Sequence, residues 1–407
     1  MVVNRGRWYS GSVEALDFAA ARRCVVETVG ACRPEVEAVP LAEAAGRVLA
    51  VDVVADRDYP PVDRSIRDGF AVCAADVPGA VRLIGEVRAG EAFAGKVGAG
   101  EGVRIMTGAP LPDGADAVVM VEHATVRDGM MTTEKAPGVG EFINRAGCEA
   151  RAGDVVLARG VRLRFPQIAM LATVGLSMVP VYRRPRVAIL ATGDEIVTVE
   201  AAPRTYEVRN SNSWALAAQV TAAGGLAEVL PVAPDDLEAT VAAVERGLQA
   251  DLLLLSGGVS AGEYDFVEAA LGRCGAEFFF TRVKIRPGAP LVFGRARGKY
   301  FFGLPGNPLS TAVTFEVFAR AALELLGGAG EPPLPIVEAH ITKTLREKGG
   351  LTRFLPAVLE NGTGRVTPIV WKGSSDVPSL ARSNAFIIAA ADRELYEEGD
   401  AVSVLLQ

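Results

Sequence analysis

The sequence predicts a multidomain α/β plus β protein, in which a doubly wound α/β domain is joined to β-rich modules. Three observations predict it. From Pro185 onward, short apolar runs (RVAIL, LAEVLPV, DLLLLSG) are separated by helical stretches, the alternation that builds an open sheet covered on both faces. From Asp52 to about residue 180, and again after the Gly/Pro-rich stretch GGAGEPPLP, short β-type runs follow one another across Gly, Pro and Asp turns without crossover helices. Finally, 407 residues exceed what a single core of about 250 to 300 residues accommodates, so two to four domains are expected.

In chain order, residues 13–29 read as an opening helix. Residues 41–49 carry Leu41, Ala44, Ala45, Val48 and Leu49 at helical spacing and read as a second one. The β-type runs VRLIGEV, GVRIMTG, ADAVVMVEHATV and DVVLARG follow. In the α/β part, residues 235–250 place Leu237, Val241, Val244 and Leu248 on one helical face. A long apolar helix over residues 308–326 closes that part. There are no internal repeats or low-complexity tracts.

Composition excludes several function classes. Half the residues are hydrophobic and 22% are charged, which is a packed chain and not a disordered one. A formal net charge of −7 opposes broad nucleic-acid binding, which needs a basic surface. No apolar run reaches the about 18 to 20 residues of a membrane span, and the N-terminus lacks a signal-peptide core, so a cytoplasmic protein is expected. Five scattered cysteines form no C-x-x-C pair and read as reduced thiols. With only His123 and His340 present, chemistry must rest on carboxylates, lysine, arginine and backbone.

Four clusters fall at strand ends of the α/β part. In DLLLLSGGVSAGEYD the apolar run stops at Ser256, Gly257 and Gly258, and Asp265 follows; this is either a phosphate-binding turn with a cation nearby or a tight turn with an N-cap aspartate. In ILATGDE, Asp194 and Glu195 present adjacent carboxylates, or a surface turn. In Arg282 to Arg286, alternate residues set Arg282, Lys284 and Arg286 on one strand face, able to hold an oxyanion or to guard a sheet edge. GLPGNP, with Pro305, Gly306 and Asn307, forms a rigid turn before a helix N-terminus, an anion-binding geometry or a turn alone. A dehydrogenase reading fails because no G-x-G-x-x-G follows a predicted strand.

Seven ordered motifs together carry a resemblance that runs almost end to end: VPLAEAAGRVLA, PPVDRSIRDGFAV, RIMTGAPLPDGADAVVMVE, ILATGDE, SGGVSAGEYD, KIRPGAPLVFG and GLPGNPLSTAVTF. The chain resembles the molybdopterin molybdenumtransferases, the molybdenum insertases to which one domain of gephyrin is related. The resemblance implies a linking domain (1–50 with 150–182), a β-rich domain (51–149), an α/β molybdopterin-binding domain (183–328) and a C-terminal β-barrel-like domain (329–407). It implies a homodimer that inserts molybdate into adenylylated molybdopterin in a Mg²⁺-dependent step releasing AMP. Its cleft would be shared between the α/β domain of one subunit and the β-rich domain of its partner. An adenylyltransferase partner and molybdoenzyme acceptors are further implications, and tungstate is an equally shaped substrate. A paralogue serving as a dimeric nucleotide- or peptide-binding scaffold is the alternative.

By position, the resemblance marks Asp63, Thr107, Glu195 and Asp265 as catalytic. It implies that Asp265 with Asp235 or Glu195 holds Mg²⁺. Ser256, Gly257, Gly258 and Ser260 would cradle phosphate, with Asp194, Pro305, Gly306 and Asn307 beside them. Lys284 and Arg286 would attract the oxyanion, and Ser375 lies in the segment that would receive the pterin. The chain departs from the family pattern at Arg64 and Arg67, two added cations expected to pair with Asp63 or lower its pKa. Cys148 and Glu149 replace an acidic pair, Ala289 replaces a lysine, and Arg353 stands in for a missing basic pair near Gly350.

Overall fold

The computed structural model describes residues 15–258, 266–330 and 333–407. Three six-stranded sheets carry the architecture. In the α/β part the spatial order is Leu226–Val229, Arg186–Ala191, Leu252–Ser256, Lys299–Leu304, Val292–Ala296 and Glu277–Phe280. The first four strands are parallel, and Val292–Ala296 runs antiparallel to its neighbours. Leu252 to Leu255 are each fully buried, as a parallel strand covered on both faces requires.

The β-rich part forms a mixed sheet, ordered Ala117–Met120, Gly69–Val72, Glu101–Ile105, Gly79–Val87, Met130–Thr133 and Ala124–Arg127. In the C-terminal region Thr352–Glu360 pairs with both Arg365–Pro368 and Ala385–Ala389, which closes a five-stranded barrel completed by Ile336–Ile341 and Ala401–Leu406. Closure removes the exposed sheet edge. A short strand of the α/β part, Ile285–Arg286, adds to this barrel in parallel register, Arg286 opposite Arg353.

One apolar cluster joins three regions. The opening helix, Phe18–Gly30, is capped by Asp17, whose side chain accepts from the amide of Ala20 at 2.7 Å. It buries Ala21, Val25 and Val29, at i, i+4 and i+8, against Phe280, Phe302 and Phe318 of the α/β part and Phe354 and Phe386 of the barrel. Phe18 meets Phe318 and Phe354 edge-to-face at 5.7 and 5.5 Å, contacts each worth roughly 0.5–1.5 kcal/mol beyond their burial. The long apolar helix is present over residues 308–326 and widens to a π-turn at Phe315–Ala319, where Arg22 of the opening helix donates to the carbonyl of Val317 at 2.9 Å.

The helix expected over residues 41–49 is absent. Only Leu41–Glu43 forms a single 3₁₀ turn. Beyond it the backbone pairs with residues 160–163: Gly46 donates to Leu163, Leu163 to Arg47, and Leu49 to Val161. These tertiary hydrogen bonds override the local periodicity, and Leu49 is buried from an extended segment.

Candidate active site

Register lines up three strand ends. Ala191 pairs with Ser256 and Ser256 with Leu304, so the chain leaves the sheet side by side at Thr192, Gly257 and Pro305. Strand order reverses here, because Arg186–Ala191 has Leu226–Val229 on one side and Leu252–Ser256 on the other. Open α/β sheets bind ligands beyond the carboxyl ends at such a point. A cavity of about 710 Å³ opens there.

Most residues marked at the strand ends meet in it. Glu195, Ser256, Gly257 and Gly258 line it together with Pro305, Gly306 and Asn307, and Ser375 reaches it from the C-terminal region. Gly258 sits at φ +64°, and a Cβ there would lie 2.5 Å from Val267 and 2.8 Å from the hydroxyl of Thr192, so only glycine fits. The amide of Gly257 donates to the carbonyl of Leu304 at 3.3 Å, tying the turn to the neighbouring strand end. Ser260 and Asp265 lie outside the described residues.

Asn212 is a site residue that sequence reasoning missed. Its Nδ2 lies 2.9 Å from Ser256 Oγ and 2.7 Å from the Gly306 carbonyl. It belongs to the first turn of Ser211–Ala222, a helix capped by Asn210, whose side chain accepts from the amide of Ser213. The run RNSNS carried the signal as an N-cap sequence, but only the fold turns it toward the cleft.

The acidic residues are placed unequally. Glu195 lines the cleft, whereas Asp194 accepts a hydrogen bond from the amide of Asp235 at 3.1 Å. The expectation that Asp235 opens the following helix is off by one residue: Asp236 caps Leu237–Gly247 through the amide of Ala239. Among the described residues no three acidic, histidine or cysteine groups converge as a metal cluster. Their chemistry nonetheless suits Mg²⁺, which prefers a few carboxylates together with substrate phosphate oxygens.

The cationic row is built as expected: Arg282, Lys284 and Arg286 are exposed while Val283 and Ile285 are buried. Lys284 lines none of the described cavities. Pairing of Ile285–Arg286 with the barrel brings Arg286 into a cavity of about 660 Å³ with Arg346, Lys348, Arg353 and Lys372. Arg353 is buried there, donating to the Lys348 carbonyl at 3.0 Å and pairing with Glu347 at 3.3 Å. A smaller cavity of about 280 Å³, walled by Pro287, Leu351 and Trp371, shares Arg286, Trp371 and Gly373 with the cationic one and Pro290, Pro305 and Asn307 with the cleft. The three form a continuous groove: polar strand ends, apolar waist, cationic end.

Asp63 and Thr107 lie in the β-rich part and do not line this groove. Asp63 accepts from Arg145 at 2.5 Å and from the amide of Ala146 at 2.8 Å. Partial burial pushes its carboxyl up, but the Ala146 amide and the Arg145 guanidinium outweigh this and hold it below the usual range. The pairing expected from Arg64 and Arg67 is therefore corrected. Arg64 turns to Glu149 at 2.6 Å, and the distant Arg145 takes Asp63 because the loop after Ile143–Asn144 folds against it. Asp68 accepts from both the amide and the hydroxyl of Thr107 at 2.7 Å, which holds its carboxyl low.

The chain matches three family models: MoeA N-terminal region (domain I and II) over residues 16–175, probable molybdopterin binding domain over 188–325, and MoeA C-terminal region (domain IV) over 338–407. A molybdopterin molybdenumtransferase of Bacillus subtilis is 37% identical over 96% of this chain and 93% of its own length. This chain belongs to the MoeA, or molybdopterin molybdenumtransferase, family. A Staphylococcus aureus family member is 33% identical over 90% of each chain. A Pyrococcus horikoshii MoeA crystal structure superposes with a TM-score of 0.82 at 28% identity, covering 97% of this chain and 100% of that one. A second MoeA structure from that organism gives 0.77 at 31% identity, covering 97% and 99%. Among the described residues, no helix is long and apolar enough to cross a membrane.

Proposed function

We propose that this MoeA-family transferase inserts molybdate into adenylylated molybdopterin and releases AMP in a Mg²⁺-dependent reaction. The observation that carries this reading is the groove, whose two ends suit the two ends of the reaction. The strand-end cleft offers a helix N-terminus at Asn307, hydroxyls and a glycine turn to a phosphoanhydride. Across the apolar waist, Arg286, Arg346, Lys348, Arg353 and Lys372 offer charge and planar donors to a tetrahedral dianion. Ser375, which lines the cleft, and Ser374, which lines the waist, bring the C-terminal region against the pterin between them.

In this reading Asn212 fixes Ser256 and Gly306, and the Ser256 to Gly258 turn orients the diphosphate. Arg286 and Arg353 hold the oxyanion beside the dithiolene, and the pocket chemistry does not distinguish molybdate from tungstate. Glu195 and Asp235, with Asp265, would hold Mg²⁺, whose charge would polarise the phosphoanhydride and stabilise leaving AMP. Asp63, held ionised beside Arg145, would orient water or accept a proton.

We further propose a homodimer in which Asp63 and Thr107 face the cleft of the partner. Support comes from their place in the β-rich part, residues 51–149 of which contribute nothing to the groove of their own chain. The fourfold division at residues 1–50 with 150–182, 51–149, 183–328 and 329–407 is part of the same proposal. Purified protein supplied with adenylylated molybdopterin, Mg²⁺ and molybdate should release AMP and yield active cofactor. Release no greater than in a protein-free blank would overturn the reading.

A further inference from the structure

Trp371 is the only aromatic side chain among those that line the three cavities of the groove. It is also shared, bordering the apolar waist beside Pro287 and Leu351 and the cationic end beside Arg286 and Lys372. Its other contacts hold it still. The side chain packs half-buried against two apolar clusters, one that joins the α/β part to the barrel and one within the barrel. The backbone that carries it is fixed on both sides: the amide of Ile369 donates to the carbonyl of Pro356, and that of Lys372 to Asp376 Oδ2, both at 2.9 Å. Ser374 accepts from the amide of Leu309 at 2.9 Å, which ties the same loop to the first turn of the long apolar helix. The ring is therefore set in place ahead of any ligand.

A rigid aromatic ring in a ligand groove takes a flat, polarisable guest by stacking. Position says which guest. The waist, about 280 Å³, falls below the about 300 Å³ at which pockets for whole drug-sized ligands begin, so it admits one ring system and not a whole nucleotide-bearing substrate. The substrate of the proposed insertion reaction, on which this inference rests, carries two planar heterocycles at opposite ends of its diphosphate. With the diphosphate at the strand ends, the heterocycle that reaches the cationic end is the one bearing the dithiolene, because the dithiolene must meet the oxyanion there. We propose that the pterin ring stacks on Trp371, and that this contact sets how far the dithiolene reaches toward Arg286 and Arg353. Adenine finds no aromatic partner in the strand-end cleft, so stacking in this groove is reserved for the pterin.

The test uses the full-length protein carrying Trp8→Phe and Trp214→Phe, which leaves Trp371 as its sole tryptophan. Adenylylated molybdopterin, with Mg²⁺ withheld, should quench most of its emission, and AMP alone should quench little. In the otherwise unaltered protein, Trp371→Leu should weaken binding of adenylylated molybdopterin by about 10- to 100-fold, the scale of one lost stacking contact, and leave AMP affinity unchanged. Trp371→Phe should recover most of that loss. A side chain that only packed the core would move both affinities together. Emission that adenylylated molybdopterin lowers no further than AMP does, or equal affinity in the Trp371→Leu and unaltered proteins, overturns the inference; the emission result stands whether or not that variant folds. AMP release separates this from the insertion reaction. An unaltered protein that releases AMP while Trp371 is indifferent keeps the reaction and loses the stacking contact, and one that releases none yet loses pterin affinity with Trp371→Leu keeps the contact and loses the reaction.

Discussion

Asn212 donates to the hydroxyl of Ser256 at 2.9 Å, tying the first turn of a helix to the end of the central strand. The same amide reaches the Gly306 carbonyl, so one side chain holds two walls of the cleft. Asn212→Ala should lower the rate of AMP release by roughly 10- to 100-fold, the scale of losing about 1 Å of alignment. Its thermal midpoint should change little. Unaltered turnover would show that Asn212 does not position the site.

Gly258 allows no side chain, because its φ of +64° and the nearness of Val267 and Thr192 both oppose one. Gly258→Ala should cost on the order of 1–3 kcal/mol in urea unfolding and weaken AMP binding in calorimetry. Wild-type affinity in that variant would remove the turn from the nucleotide site.

The cationic end and the carboxylate end should separate kinetically. Arg286→Ala should raise the molybdate concentration for half-maximal AMP release about tenfold, the loss of one charge-assisted contact, and leave the Mg²⁺ requirement unchanged. Glu195→Gln should do the reverse. Titrating each ion against each variant decides it, and identical shifts in both titrations would refute the assignment of ends.

Asp251 predicts an acid-sensitive contribution to stability. Desolvation pushes its carboxyl up, but Arg183, the amide of Arg186 and Lys299 more than offset this and hold it low. A folded-state pKa below the unfolded value of about 3.9 gives stability that is complete above that pH and fades as pH falls through the folded pKa. Asp251→Asn should therefore be less stable by about 1–3 kcal/mol at neutral pH, with the gap closing below about pH 4. Urea unfolding across pH measures it, and a gap constant down to pH 2 would contradict the ionic cause.

Legibility followed the range of the interactions. The LLLL run at Leu252–Leu255 and the glycines after Ser256 specify a buried strand and a turn by local chemistry, and both stand where they were expected. Residues 41–49 misled because their helical spacing is also compatible with an extended segment once residues 160–163 supply hydrogen bonds. Arg64 misled in the opposite way: next to Asp63 in sequence but on a short strand, it pairs with Glu149, and Arg145 reaches Asp63 from 82 residues away.

The sequence by itself determined the strand and helix alternation, the apolar faces, the glycine turn and the alternating cations, because each depends on neighbours within a few residues. Tertiary structure alone decided that Arg286 lies opposite Arg353 and that Asn212 reaches Ser256. Those relationships depend on register and on the packing of the opening helix between two domains, which couple residues hundreds of positions apart and leave no mark in local pattern.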